Sequence, residues 1–151
     1  MFRSGERCYR DPKLRGVQGV IRQENKGLGA ARNAGVLASE GRYIFKLDAD
    51  DHLRPDWLDL GIKIIDSQPK IGVIYGDALC FGSRNDRWGV GPFDGNRLLD
   101  WNFIHASALY RRSIWEQSGG YNTGMPVQGL EDWDFWLGAY VLGWRFFGSL
   151  F

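Results

Sequence analysis

Three aspartates, Asp48, Asp50 and Asp51, crowd the four positions that follow the run Arg42 to Leu47 (RYIFKL). Carboxylates this close repel one another unless a cation or solvent neutralises them. The β-branched and aromatic run predicts a buried strand. The aspartates then stand at its carboxyl end, where open α/β sheets bind their ligands. Residues i and i+2 of an extended chain project to one side, so Asp48 and Asp50 are expected to face a common site. Hard oxygen donors, completed by phosphate and water, suit Mg²⁺ or Mn²⁺. A solvated strand-to-helix turn, with Asp51 or Asp56 near the helix start, accounts for the same residues. An EF-hand loop does not: its sixth position would be Leu53 rather than Gly, and no bidentate Glu follows at the required spacing.

Two further groups carry chemistry. Asn25-Lys26-Gly27-Leu28-Gly29 leads into an alanine-rich segment with Arg32 in its first turns. Backbone N–H groups at a helix start and a planar guanidinium both favour phosphate oxygens. A helix-surface salt bridge accounts for Arg32 equally well. Gly27-x-Gly29 is a weak dinucleotide-loop signal, because Arg32 occupies the place of the third glycine. Near the other end, Glu131, Asp132 and Asp134 crowd a predicted helix start, where the helix dipole favours negative charge with or without a catalytic role.

The elements that must position these groups alternate. A short strand is expected over Val17 to Gln23, a helix over Leu28 to Ser39, and a strand over Arg42 to Leu47. Pro55 opens a helix to about Ser67, where its missing N–H does no harm. Ile71 to Tyr75 is a second buried strand. Phe81 to Arg97 is rich in Gly, Asp, Asn and Arg and reads as a long loop, of the length that is usually functional or disordered. Ile104 to Tyr110 follows as a strand and Arg111 to Gln117 as a short helix, broken at Gly119-Gly120-Tyr121-Asn122. A loop runs to Gly129, a helix spans Glu131 to Leu142, and Trp144 to Phe147 begins a last strand. Such alternation argues for a largely parallel sheet with right-handed crossovers.

The sequence of 151 residues suits a single domain over 1–151. Its 19 basic and 18 acidic side chains give a net charge of +1, which supports neither a nucleic-acid groove nor a basic membrane surface. Met1 to Arg7 hold no apolar core that could serve as a signal peptide, and no apolar run reaches the length of a membrane span. Cys8 and Cys80 form no metal or redox motif, so a reduced cytoplasmic setting fits best, with the cytoplasmic face of a membrane left open. Seven tryptophans exceed average usage, and several fall in expected loops where flat apolar faces stack on ligands.

Taken in order, Gln23 to Gly35 (QENKGLGAARNAG), Gly41 to Ile44, Leu47-Asp48-Ala49-Asp50-Asp51, Pro55, Arg111-Arg112, Gly119-Gly120-Tyr121 and Glu131-Asp132 resemble family 2 glycosyltransferases of the GT-A fold. The match runs from about Asp11 to the C-terminus and is specific to the family, not to a substrate. The resemblance implies a Rossmann-like α/β sheet flanked by helices. It further implies sugar transfer, with inversion, from a nucleotide-diphospho-sugar to a hydroxyl of a carbohydrate or lipid-linked acceptor. In that scheme Asp50 coordinates a divalent ion, Mg²⁺ or Mn²⁺, that acts as a Lewis acid on the departing diphosphate. Asp48 approaches the ribose or the waters of the metal, Asn25, Gly29 and Arg32 bind the donor, and Asp132 is the general base. Only the family pattern selects Asp132 among its acidic neighbours. Trp101, His105, Trp133 and Trp136 are candidates for the acceptor side, at least half of them being packing residues, and His105 receives no role. Aspartyl phosphatases also end a strand in Asp-x-Asp but continue into Gly-Thr, whereas Asp51-His52 follows here.

The family's first strands, which wall the nucleobase, have no counterpart before the match begins. The chain therefore reads as a partial domain with an exposed sheet edge, open to self-association. Two rival readings follow: a non-catalytic nucleotide-binding remnant or assembly module, and a metal-dependent phosphohydrolase. Little or no transfer is expected of the chain alone.

Overall fold

Period-two alternation builds the centre of the molecule. In a computed structural model that describes residues 7–9 and 19–148, four strands form the main sheet: β3 (Tyr43–Phe45), β4 (Ile71–Ile74), β7 (Leu109–Arg111) and β8 (Arg145–Phe147). Their order is β3-β7-β4-β8. Tyr110 lies between Ile44 and Val73, and Leu109 between Phe45 and Ile74. Because successive side chains point to opposite faces, the first row enters one core and the second row another. Tyr110, Val73 and Ile44 pack with Phe135, Trp136 and Ile114. Leu109, Ile74 and Phe45 pack with Trp57 and Ile65.

The helices follow from the same logic. Helix α2 (Trp57–Ser67) buries Trp57, Gly61 and Ile65, a stripe of three residues spaced four apart against the sheet. Helices α4 (Arg112–Ser118) and α5 (Glu131–Val141) supply the opposite face, and α1 (Leu28–Ala38) buries only Gly29, Ala34 and Val36. A separate antiparallel pair joins β1 (Arg7–Tyr9) to β2 (Val20–Arg22). The expected strand is thus shorter than Val17 to Gln23, and its Val17 end lies outside the described residues, as does the Asp11 end of the family-like stretch.

The sheet is α/β but mixed. β3, β4 and β8 share one direction, while β7 runs antiparallel to both neighbours. The reversal has a physical cause: no helical crossover separates β4 from β7, so β7 starts at the end where β4 finishes. The segment between them is an excursion that leaves the carboxyl end of β4 and returns to it.

That excursion holds structure the composition hid. Strands β5 (Ala78–Leu79) and β6 (Arg87–Trp88) form a hairpin, and helix α3 (Gly95–Asp100) begins within the expected loop. Asp77 closes the hairpin base, accepting from the Val90 N–H at 2.8 Å and from the Arg87 guanidinium. The backbone bond from Val90, ahead of the desolvation that opposes it, holds its carboxyl below the usual range. Asp94 caps α3 through the N–H groups of Asn96 and Arg97.

Two consecutive arginines tie the crossover helices down. Arg111 donates to the carbonyls of Ile65 and Gln68, at the C-terminus of α2, and of Ile71, at the start of β4. Arg112 donates to the carbonyls of Val36, Ser39 and Gly41, at the C-terminus of α1. The basic residues of the family-like pattern thus add charged donors to the carbonyls at and just beyond these helix ends. No helix among the described residues is long and apolar enough to cross a membrane. Cys80 is a free thiol, and the side chain of Cys8 lies outside the described residues.

Candidate active site

The start of α1 is shaped by its own residues. Asn25 Oδ1 accepts from the Gly27 N–H at 3.1 Å, and Gly27 adopts φ 84° before the first turn. Gly29 is buried because a Cβ there would lie 2.7 Å from the Asn122 carbonyl oxygen. The donor-side pair therefore shows structural work: Asn25 forms the turn and Gly29 permits close packing. Asn33 completes the junction, donating from Nδ2 to the Tyr121 carbonyl and accepting at Oδ1 from Tyr121 N–H and Trp115 Nε1, each at 2.8 Å.

The acidic loop departs from the extended geometry expected of it. β3 stops at Phe45, and the Asp51 N–H donates to the Asp48 carbonyl at 3.1 Å, closing a turn over Ala49 and Asp50. Alternation along a strand therefore does not align Asp48 with Asp50. Asp48 is half-buried, whereas Asp50 and Asp51 are exposed. Asp51 Oδ2 accepts from Ser107 Oγ at 3.0 Å.

Across from this turn, the start of α5 buries two acids. Glu131 is 1% exposed and Asp132 7%. Glu131 Oε2 accepts from the Gly129 N–H at 2.9 Å, while Oε1 is buried with no hydrogen-bond partner. Asp132 Oδ1 accepts from the Trp133 N–H at 3.0 Å. Asp134 is exposed, as a helix-start charge would be.

What joins these groups is Lys46, which the strand pattern absorbed as one more residue of RYIFKL. Its Nζ is buried without a hydrogen-bond partner, as are Nε and Nη1 of Arg32. Burial, reinforced by the Arg32 charge, lowers the Lys46 ammonium to about 8, against the pull of Asp132, Asp48 and Glu131. Residues far apart in sequence therefore share one electrostatic centre. Arg32 makes no salt bridge among the described residues and lies over the Tyr121 ring at 5.5 Å. The helix-surface reading of Arg32 is accordingly not what the fold adopts.

Two cavities flank the end of β3. One, of about 410 Å³, is lined by Arg32, Lys46, Tyr43, Tyr110 and Tyr121 among others. The second, of about 380 Å³, includes Asp51, Trp57, Asp77, His105 and Ser107, and shares Phe45 and Leu47 with the first. His105 stacks on Trp88 at 4.6 Å, and its Nε2 is buried without a partner. Burial holds its imidazole below the usual range, against the pull of Asp51, Asp132 and Asp48. The other acceptor-side candidates divide: Trp136 is fully buried, Trp133 donates to the Leu98 carbonyl at 2.8 Å, and Trp101 is exposed beside Arg97.

Among the described residues, no three or more metal-ligating side chains converge. The donor set at the turn fits a hard cation held by one or two carboxylates and completed by phosphate and water. It does not fit a site built wholly from protein ligands.

A sequence profile of glycosyl transferase family 2 matches residues 7–125. A PGL/p-HBAD biosynthesis glycosyltransferase of Mycobacterium bovis is 37% identical over 118 residues, covering 77% of this chain and 44% of that protein. An uncharacterized glycosyltransferase of Haemophilus influenzae is 27% identical over 127 residues, covering 78% and 42%. A putative glycosyltransferase of Bacillus subtilis is 50% identical over 40 residues, 26% of this chain and 12% of its own. The chain spans less than half the length of these relatives. The profile nevertheless covers most of the residues that build the sheet and the acidic turn, and the chain belongs to glycosyl transferase family 2.

Proposed function

We propose that this chain carries the donor side of an inverting, divalent-metal-dependent transferase that moves a sugar from a nucleotide-diphospho-sugar to an acceptor hydroxyl. The observation that carries this reading is that Lys46 and Arg32 line one cavity with buried nitrogens that have no hydrogen-bond partner, while the start of α5 buries Glu131 and Asp132. It unites cations without anionic partners, suited to a diphosphate, with a buried carboxylate suited to proton abstraction.

Arg32 and Lys46 hold the diphosphate in the cavity they line, where low polarity strengthens each contact. Asp50, exposed on the turn that Asp48 opens, is the residue that would hold Mg²⁺ or Mn²⁺, which would supply Lewis-acid stabilisation of the leaving diphosphate. Asp132, with Oδ1 occupied by its own helix, takes the acceptor's hydroxyl proton on Oδ2. The acceptor oxygen then forms its bond to the anomeric carbon as the bond to the diphosphate oxygen breaks on the opposite face. The acceptor is a carbohydrate or a lipid-linked sugar. The free Cys80 thiol fits a cytoplasmic setting, at the membrane face where the acceptor is lipid-linked.

Calorimetry with Mn²⁺ and UDP or GDP tests the donor side. Asp50→Ala is expected to weaken nucleotide binding in the presence of metal by roughly tenfold or more, as loss of groups in a metal site commonly does. Equal affinity in the variant removes Asp50 from the site. Arg32→Lys is expected to cost about tenfold in nucleotide affinity at unchanged thermal stability, since a point charge does not reproduce the guanidinium fork. A fall in melting temperature with affinity intact would instead make Arg32 a structural residue.

A further inference from the structure

Among the described residues, the acidic turn that carries Asp50 makes one side-chain hydrogen bond, from Ser107 Oγ to Asp51 Oδ2 at 3.0 Å. Asp51 is also the residue whose N–H closes the turn onto the Asp48 carbonyl, with Asp50 exposed between them. The bond therefore grips the closing corner of the turn. Its other end is fixed. The Ala108 N–H donates to the Ala106 carbonyl at 3.0 Å, a tight turn that holds Ser107 at the entrance of β7, and Ala108 and Leu109 are buried. The register that pairs Phe45 with Leu109 brings this entrance to the end of β3, where the acidic turn begins. The β5–β6 hairpin braces both partners. Phe81 packs on His52, next to Asp51, with ring centroids 4.9 Å apart, and Trp88 stacks on His105, just ahead of Ser107, at 4.6 Å.

We propose that Ser107 is a positioning residue for the divalent ion: acting through Asp51, it fixes the turn in the shape that presents Asp50. The assignment rests on the metal-dependent transferase reading and adds to it a residue outside the acidic motif. Three carboxylates crowded into one turn repel one another and spread apart unless something holds them. A hydroxyl is suited to that task, because it donates to a carboxylate without adding a charge that would compete with the ion. An arginine or lysine at the same place would neutralise the acids and repel the metal. Ser107 also takes Asp51 Oδ2 out of competition with Asp50 for the ion. Because Ser107 stands at the entrance of β7, which lies between β3 and β4, the metal turn is tied to the centre of the sheet.

The test follows the metal dependence of UDP or GDP binding to the full chain by calorimetry over a series of Mn²⁺ concentrations. In Ser107→Ala, the Mn²⁺ concentration that gives half of the metal-dependent gain in affinity is expected to rise about tenfold. That is the low end for loss of a group that orients a metal ligand, as suits a bond exposed to water. Ser107→Thr keeps the hydroxyl and is expected to restore the parent value. Nucleotide affinity without metal and the melting temperature are expected to stay unchanged in both variants, which a general loosening of the fold would not allow. Asp51→Ala and the double variant Asp51→Ala/Ser107→Ala are expected to match, because Ser107 acts only through Asp51. An unchanged Mn²⁺ requirement in Ser107→Ala, an equal loss of metal-free affinity, or additive losses in the double variant overturns the proposal. Should the unaltered chain bind nucleotide no better with Mn²⁺ than without, the metal assignment itself fails and the role of Ser107 with it, and the parent titration alone reads that failure.

Discussion

Asp132→Asn is expected to cut turnover by roughly 10²–10⁴-fold in any preparation that transfers sugar, the usual worth of a positioned general base. The substitution keeps the volume of a side chain that is 7% exposed and can retain the acceptor at Oδ1 for the Trp133 N–H. It removes the lone pair on the other oxygen that receives the proton. Donor binding is expected to survive, since the cations and the acidic turn are untouched. Asp134→Asn is expected to have little effect, because that side chain is exposed one turn edge away. Single-turnover transfer with saturating donor separates the two. Inactivity of the Asp134 variant alongside normal transfer by the Asp132 variant would mean that the wrong carboxylate has been named, and full activity in both would remove this helix start from the chemistry.

Lys46→Met is expected to stabilise the fold while weakening nucleotide binding. The folded chain releases the Lys46 proton at about 8, against 10.5 for the free group. Below pH 8 both states hold the proton, and the native state bears the full burden of the buried charge. That burden is on the order of 3 kcal/mol for the fall from 10.5 to about 8, at 1.36 kcal/mol per pH unit. Between pH 8 and 10.5 the unfolded chain binds more protons, so the contribution becomes less unfavourable as pH rises. The difference between variant and unaltered protein in urea unfolding is therefore expected to be largest at pH 7 and to vanish near pH 10.5. Added Mn²⁺ and nucleotide should narrow it, because the diphosphate supplies the partner the ammonium lacks. A variant no more stable than the parent at pH 7 would show that Lys46 finds another partner in solution.

Elements were legible where length and period agreed. α1, α2 and α5 stand within a residue or two of their expected limits, because each repeats its apolar stripe over three turns. The β5–β6 hairpin and α3 were not, since two-residue strands carry no alternation and Asp94 caps a helix inside a stretch of turn-forming residues. The site was legible as a set of residue types: the acidic turn, Arg32 and the Glu131-Asp132 pair. Its geometry was not. The turn at Asp48 to Asp51 replaces the extended chain on which the facing of Asp48 and Asp50 was argued. Lys46 was invisible because a lysine at the end of an apolar run ordinarily extends to solvent. Only the packing of α1 and α5 about β3 buries its nitrogen.

Arg111 and Arg112 also set how stiffness is distributed through the molecule. They fasten the C-terminal ends of α2 and α1, the ends remote from the acidic turn, by charged bonds to carbonyls. The opposite ends of α1 and α2, and the start of α5, carry no side-chain cap. α1 and α2 are thus clamped by charged bonds at the ends away from the cavities, whereas the first turns beside the cavities are held by packing, with Gly29, Trp57, Glu131 and Asp132 all buried. Local opening is therefore opposed at both ends, by charged bonds at one and by burial at the other, which keeps the walls of the site in place about the frame that β7 provides.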